Sequence, residues 1–450
     1  MKVLVCAKII KGELNPFDEA ALECALRLSD DVTVVSMSPK TAENALRPLT
    51  RLGAKVVLIS DSKYAGSDTL ATAYILSEAI KKIGFDLILC GRQSIDGDTA
   101  QVGPMLSQML NIPVITNAME AATEGEYIQV RTRTGTEKAT LPALITLERS
   151  LTLRFASIFS KPKEIVCWSN KDVGCETLKC GLEGSPTRVL ETFENEKGKR
   201  SCQFIETENL LPLIEKLKQQ EPAAITHNKT GKKLKSVWAV GKEVLEKAYE
   251  ISENVVLIAP ADPREIALRA KEEKPDVILW NADSWGRKNA PIAAAILDTG
   301  LCADCTALET DGEQLFMYRP AQGGNITAKI KCIRKPQMAT VRTKSECAEI
   351  IVSAGRGVKD KLNEVEAFAK SIGAELAASR GLVDTNAVSY DKQIGLTGKT
   401  VNPKIYIAIG ISGAVHHTCA IEDSMAVIAI NPDKNARIFQ YADYGITAEF

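Results

Sequence analysis

The sequence predicts an α/β protein made of two parallel-sheet domains followed by a third α/β domain at the C-terminal end. Three observations carry this expectation. Short apolar runs at 3–6, 86–90 and 405–409 alternate with segments of helical periodicity, as strands do when crossover helices bury both their faces. The alternation lapses over a polar tract at 191–235 and then restarts. With 450 residues the chain has room for roughly two to four such domains.

In chain order, residues 3–6 form a strand and 17–28 a helix whose apolar positions Leu22, Ala25 and Leu26 share a face, after the start signal Asn15-Pro16. Strands are expected at 32–36, 56–59 and 86–90, and helices at 41–51 and 69–83. Alternation at 128–134 and 144–147 suggests an antiparallel addition. A short helix at 208–218 sits within the polar tract, and 222–235, with Asn228-Lys229-Thr230-Gly231 and a basic cluster, marks a linker. Beyond it lie strands at 237–240, 255–258 and 277–279, helices at 242–251 and 263–272, and a β-rich stretch at 298–330. The last unit has strands at 349–352, 375–378, 405–409 and 425–430 and a helix at 358–372. Domain limits follow at 1–220, 221–235 (linker), 236–345 and 346–450.

Composition narrows the function. Lys+Arg 56 against Asp+Glu 57 gives a net charge of −1, without the basic surplus of a general nucleic-acid or membrane-surface binder. No apolar stretch is long enough for membrane insertion, and residues 1–8 read as a first strand, not a signal peptide; a cytoplasmic chain is expected. The cysteines are scattered, and Cys302-Ala-Asp-Cys305 is a lone CxxC beside only 3 histidines, so no metal site is assigned.

Two segments carry chemistry. Gly410–His417 reads as a strand end opening through a Gly/Ser turn into a helix. Such a turn frees backbone N–H groups for a pyrophosphate, although as residues alone it is equally a tight turn. Asp96–Val102 follows the strand at 86–90 and leads into a helix. As residues alone it reads first as a helix cap, since Asp98 and Thr99 are common capping residues, and second as a phosphate loop.

The order of motifs goes further. Gly355-Arg356-Gly357, Ser379-Arg380 with Asp384, Gln393–Lys399, the run Pro403–Ala414, His416-His417, Ala429-Ile430-Asn431 and Phe439–Ile446 together resemble the FAD domain of the alpha subunit of electron-transfer flavoproteins. Residues 276–287, 299–306, 319–325 and 334–342 resemble the first domain of that subunit. Residues 15–18, 91–104 and 181–187 resemble the beta subunit, so the two subunits look fused, beta-like half first.

The resemblance implies two Rossmann-like (adenine-nucleotide alpha hydrolase-like) domains and a doubly wound FAD-binding domain. It implies an electron carrier between a flavin dehydrogenase, of acyl-CoA type, and an acceptor protein. Arg380 would lie over the flavin ring, Thr397 near N5 and His417 by O2, all three tuning the flavin. Ser379, Ser412, Gly413, Ala414, Val415 and His416 would hold ribityl and pyrophosphate groups. Gln393, Ile394, Gly395 and Gly398 complete the ring loop, and Arg356, Asn431, Asp443 and Tyr444 the adenosine end. His416 stands where the family has Gln, and Leu396 where it has a polar residue.

A second nucleotide, AMP or a second FAD, would take Ala7, Asn15, Asp96, Gly97, Asp98, Thr99, Ala100, Gln101 and Val102. Gly97 within IDGDTAQVGP resembles the NADH-dependent bifurcating group, whereas the segment 8–14 is shorter than that group's loop. Set against the family, the sequence is expected to lack about one βα unit between Ile251 and Val255 and to show no counterpart of the family's last helix. Residues 153–163 correspond in outline to the partner-recognition stretch, and the segments near 342–348 and 195–235 to hinges. A non-redox nucleotide-binding protein on the same scaffold is the remaining alternative.

Overall fold

A computed structural model describes residues 1–194, 200–220, 232–322, 326–343, 348–395 and 398–450. The chain forms two compact units. One comprises 1–192, 231–322 and 328–342; the other comprises 193–230, 323–327 and 343–450. Residues 193–220, grouped by sequence with the first domain, are thus gathered with the C-terminal portion.

The first unit holds a nine-stranded sheet whose successive strands are Val166–Trp168, Lys55–Ile59, Asp31–Met37, Lys2–Cys6, Leu87–Gly91, Ala143–Leu147, Val114–Glu124, Tyr127–Thr132 and Thr136–Thr140. The central strands are buried on both faces, which is why they read as unbroken apolar runs. Antiparallel pairing is confined to Val114–Glu124, Tyr127–Thr132 and Thr136–Thr140. Ala143–Leu147 instead pairs parallel on both sides, correcting the expected antiparallel addition there. The helix expected at 41–51 is one turn of α-helix, Glu43–Leu46, between 3-10 turns, because Pro48 removes a donor.

A five-stranded parallel sheet follows in the order Val255–Ile258, Val237–Val240, Val277–Asn281, Gln337–Val341, Leu301–Cys305. The helix Ser284–Leu297 carries Pro291 inside it and was not read from the sequence. Asp283 caps it by accepting from Gly286 N at 2.7 Å. This helix packs on Val102–Leu110, and buried side chains of both sheets join one apolar cluster.

The second unit is a seven-stranded, all-parallel sheet ordered Gln203–Phe204, Tyr444–Ile446, Ala426–Ile430, Ile405–Ile409, Ile350–Ala354, Glu375–Ser379, Gln393–Ile394. Numbered along the chain from 350, this is the doubly wound order 3-2-1-4-5-6. The segment 200–218 covers its far edge. Gln203–Phe204 adds the seventh strand, Phe204 meets Phe439 with ring centroids 5.0 Å apart, and Leu210, Ile214 and Leu217 bury one face of the helix Leu210–Lys218 in the core.

Candidate functional site

In a doubly wound sheet the ligand crevice lies outside the strand C-termini, where the order reverses. Here that point lies between Ile350–Ala354 and Ile405–Ile409, whose following turns cross in contact. Gly355 N donates to Ile409 O at 2.7 Å and Gly357 N to Gly410 O at 3.2 Å. A Cβ on Gly355 would sit 2.1 Å from Gly410 O, so only glycine permits this approach. Gly413, at φ +85, would meet Ile438 N at 2.1 Å, which holds residues 412–413 against the last 3-10 turn.

Five strands deliver their loops to this end of the sheet. Arg356 follows the first strand and is exposed; its side chain flanks Gly381. Ser379 ends the second strand and opens the helix Arg380–Val383 without a side-chain capping bond. Arg380 is 28 % exposed, with Nε 3.4 Å from Asp384 Oδ2. Gln393 and Ile394 form the third strand, and Gly395 and Gly398 follow it in a tight loop; Lys399 N returns to Gln393 O at 2.8 Å. A Cβ on Gly395 would fall 2.8 Å from His416 O, so this loop abuts the turn after the fourth strand. Leu396 and Thr397 lie outside the described residues.

After the fourth strand, no hydrogen bond among the described residues engages the backbone N–H groups of Ser412, Gly413, Ala414, Val415 or His416. His417 is buried. Its Nε2 pairs with the Tyr406 hydroxyl at 2.8 Å, while Nδ1 completes no well-aligned hydrogen bond. Burial pushes its pKa down to about 4, with the neighbouring Ile394 backbone acting weakly the other way, so the ring is neutral at pH 7. Asn431, after the fifth strand, braces the fourth-strand turn through Nδ2 to Ile411 O at 3.0 Å.

Asp443 and Tyr444 are not brought to this crevice. Asp443 precedes its strand, level with Val427, and its carboxylate accepts from Val427 N at 2.8 Å and from the Arg200 guanidinium. It ties the edge segment to the sheet, a structural task in place of the adenosine contact expected from sequence. Tyr406, whose role was not read from the sequence, holds His417, and Gly355 and Gly410, which the sequence placed in motif and turn, form the crossing.

The first unit carries a second cavity of about 310 Å³, lined by Ala7, Lys8, Asn15, Asp18, Gly97 and Thr99–Gly103 among others. Asn15 is buried and donates to Gln93 O at 2.9 Å. Asp96 pairs with Lys8 at 2.7 Å. Asp98, at φ 51, and Ala100, at φ 55, are left-handed, and the loop leads into the helix Val102–Leu110. Among the described residues no hydrogen bond engages the N–H groups of Thr99, Ala100, Gln101, Val102 or Gly103. Together they form a donor cluster at a positive helix end. Asp18, whose role was not read from sequence, accepts from Lys8 N at 2.8 Å and Gly91 N at 3.0 Å. Burial raises its pKa to about 7 against the pull of those donors. Lys11 and Gly12, both at positive φ, turn a short hairpin over 9–14 at the rim.

Cys302 and Cys305 are buried thiols in one strand. Among the described residues no group of three or more potential metal ligands occurs, and no helix is long and apolar enough to cross a membrane.

Comparison with known proteins matches the electron transfer flavoprotein domain over residues 3–172 and 239–367. It also matches the electron transfer flavoprotein FAD-binding domain over 345–422. The chain is similar to the electron transfer flavoprotein subunit alpha of Thermoanaerobacterium thermosaccharolyticum, at 40 % identity over 40 % of this chain and 69 % of that one. It is similar to subunit beta of Megasphaera elsdenii, at 42 % identity over 40 % of this chain and 74 % of that one. Protein FixA of Azorhizobium caulinodans is 42 % identical over 40 % of this chain and 72 % of its own length.

Proposed function

The chain belongs to the electron transfer flavoprotein family, with beta-like and alpha-like parts fused in one polypeptide, and from that premise we propose that it is an FAD-dependent electron carrier between a flavin dehydrogenase and a downstream acceptor. The observation that carries this reading is the convergence of five glycine- and polar-rich loops on the strand-order reversal of the second unit.

The residues suit FAD. The unengaged N–H groups of 412–416 and the unbonded Ser379 hydroxyl fit a pyrophosphate and its ribityl neighbour. The bare crossing of Gly355 and Gly410 lets a ligand approach the main chain. The flavin supplies reversible electron uptake; the chain supplies binding and electrostatics. Arg380 would place positive charge over the ring, tempered by Asp384, and favour its reduced form. The Tyr406 hydroxyl at Nε2 fixes the orientation of the neutral His417 ring, which would sit by a flavin oxygen. Thr397 would add a hydroxyl near the ring.

The segment 153–163 supports partner docking. Arg154 is bound to Glu23 at 2.9 Å, and Arg51 holds the carbonyls of Ser160 and Ser157 at 3.0 and 3.1 Å. The anchored loop presents Phe155, Ile158 and Phe159 at 98, 84 and 86 % exposure. A preformed apolar tip of this kind fits a hydrophobic pocket on a dehydrogenase, for which we propose the acyl-CoA type.

The test is direct. Purified protein should carry one FAD per chain, and an acyl-CoA dehydrogenase with its substrate should bleach it. A colourless protein that cannot be reconstituted with FAD refutes the reading. In the second cavity we propose AMP: about 310 Å³ is the low end of ligand pockets and suits a mononucleotide. The motif around Gly97 favours a second reading, two FADs with NADH oxidation, which prompt bleaching by NADH and two flavins per chain would establish.

A further inference from the structure

The donor cluster of the second cavity is held in shape from the alpha-like part of the same unit. Arg319, on the strand Leu315–Ala321, is 5 % exposed. One terminal nitrogen donates to Gly97 O at 2.7 Å and the other to Asp98 O at 3.0 Å. In a trans peptide the N–H points opposite to the C=O of the preceding residue. Drawing the Asp98 carbonyl toward Arg319 therefore turns the Thr99 N–H the other way, and Thr99 lines the cavity. The same grip sustains left-handed Asp98 and Ala100, conformations that persist only where the surroundings impose them. A second tie comes from Gln101, which accepts from Thr69 at 2.7 Å and donates to Leu301 O at 3.0 Å.

We propose that Arg319 is a positioning residue for the phosphate of an adenine nucleotide in this cavity, acting through the 97–100 loop without touching the ligand. This rests on the reading that the cavity takes a nucleotide. Asp304 keeps Arg287 at 2.9 Å and Arg342 at 3.4 Å when Arg319 is replaced, so the neighbouring ion cluster retains its carboxylate partners.

AMP and adenosine are titrated by calorimetry into FAD-loaded protein stripped of AMP, for wild type, Arg319→Met and Arg319→Lys. Melting without AMP is recorded alongside. Arg319→Met should weaken AMP at least about tenfold and collapse the preference for AMP over adenosine, because the lost donors serve the phosphate. Arg319→Lys, a single ammonium in place of a fork, should fall between. FAD content should not change. AMP affinity and the AMP-to-adenosine ratio equal to wild type in Arg319→Met overturn the inference while leaving the nucleotide reading intact. If Arg319→Met does not fold, Arg319→Lys decides, and an AMP affinity within about twofold of wild type overturns it. A wild-type protein that binds no AMP overturns the AMP reading of the cavity, and this inference with it.

Discussion

Gly355→Ala should damage the FAD crevice through sterics alone. The backbone of Gly355, at φ −95 and ψ 173, is one that alanine adopts freely. Its Cβ, however, would lie 2.1 Å from Gly410 O, 2.4 Å from Gly410 C and 2.7 Å from Ile411 N. Carbon approaches a carbonyl oxygen to about 3.3 Å, so the two turns must part by roughly 1.2 Å. All three opposing atoms are main chain. They are tethered by Gly410 N to Ile430 O at 3.0 Å and by Asn431 to Ile411 O at 3.0 Å, so no rotamer change relieves the clash. Overpacking costs about 1–3 kcal/mol, and two weakened hydrogen bonds add about 1 kcal/mol each, giving roughly 3–5 kcal/mol. Urea unfolding of the FAD-free protein should show the midpoint of the C-terminal unit falling, and FAD affinity should drop at least about tenfold. Gly381→Ala is the internal comparison. Its nearest neighbour would be 3.8 Å away, and alanine in that helical turn should be neutral or stabilising by up to about 1 kcal/mol. If Gly355→Ala unfolds at the wild-type midpoint and binds FAD as before, the turns do not cross in contact and the crevice argument fails.

Other outcomes follow from single groups. His417 titrates at about 4 in the fold against 6.5 unfolded. The unfolded chain therefore binds the extra proton, and stability falls as pH drops from 6.5 through 4, by up to about 3 kcal/mol (2.5 units at 1.36 each). His417→Gln should flatten that window in pH-dependent denaturation of the FAD-free protein; an unchanged profile would assign it to other groups. Asp304→Asn leaves the Arg287 and Arg342 guanidiniums facing a neutral amide and should cost about 3–5 kcal/mol, measured by chemical unfolding. Phe155→Ser with Phe159→Ser should change stability by less than about 0.5 kcal/mol, since both rings are exposed. It should slow reduction by an acyl-CoA dehydrogenase at least about tenfold, and an unaltered rate removes this loop from docking.

What could be read from the sequence tracks how local its physical cause is. The strands 237–240, 255–258 and 405–409 match the structure residue for residue; in 237–240 and 405–409 burial on both faces leaves an unbroken apolar run, and 255–258 keeps such a run at the sheet edge, where Leu257 is exposed. The helix Thr69–Ile83 is equally local, with Asp68 accepting from Leu70 and Ala71 at its start and Gly84 at its end. Ala143–Leu147 has the same kind of strand composition, but whether its neighbours run with it or against it is a property of the pairing and not of the residues. The candidate site divides along the same line. Arg356 and Ser412, which follow strands, and Ser379, which ends one, stand at the crevice end of the sheet, a position that strand order in the sequence makes legible.

Asp443 exposes the limit of matching motifs without topology. It stands two residues before Gly445 in a motif of the FAD domain, yet the strand it introduces, Tyr444–Ile446, is too short to show periodicity. A parallel sheet distinguishes its two ends sharply: a polar residue after a strand faces the crevice, and one before it faces away. Asp443 lies on the wrong side of its own strand and meets Arg200 there. The Tyr406–His417 pair shows the complementary case. Tyr406 reads as one more core aromatic in an apolar run, and only the turn at 410–416, by carrying the chain back across the sheet, sets its hydroxyl against the imidazole. If His417 tunes the flavin as proposed, that tuning rests in part on a residue whose sequence context gives it no polar signature, and Tyr406→Phe, by leaving Nε2 unpaired in a buried setting, should disturb the flavin's potential without touching any loop of the crevice.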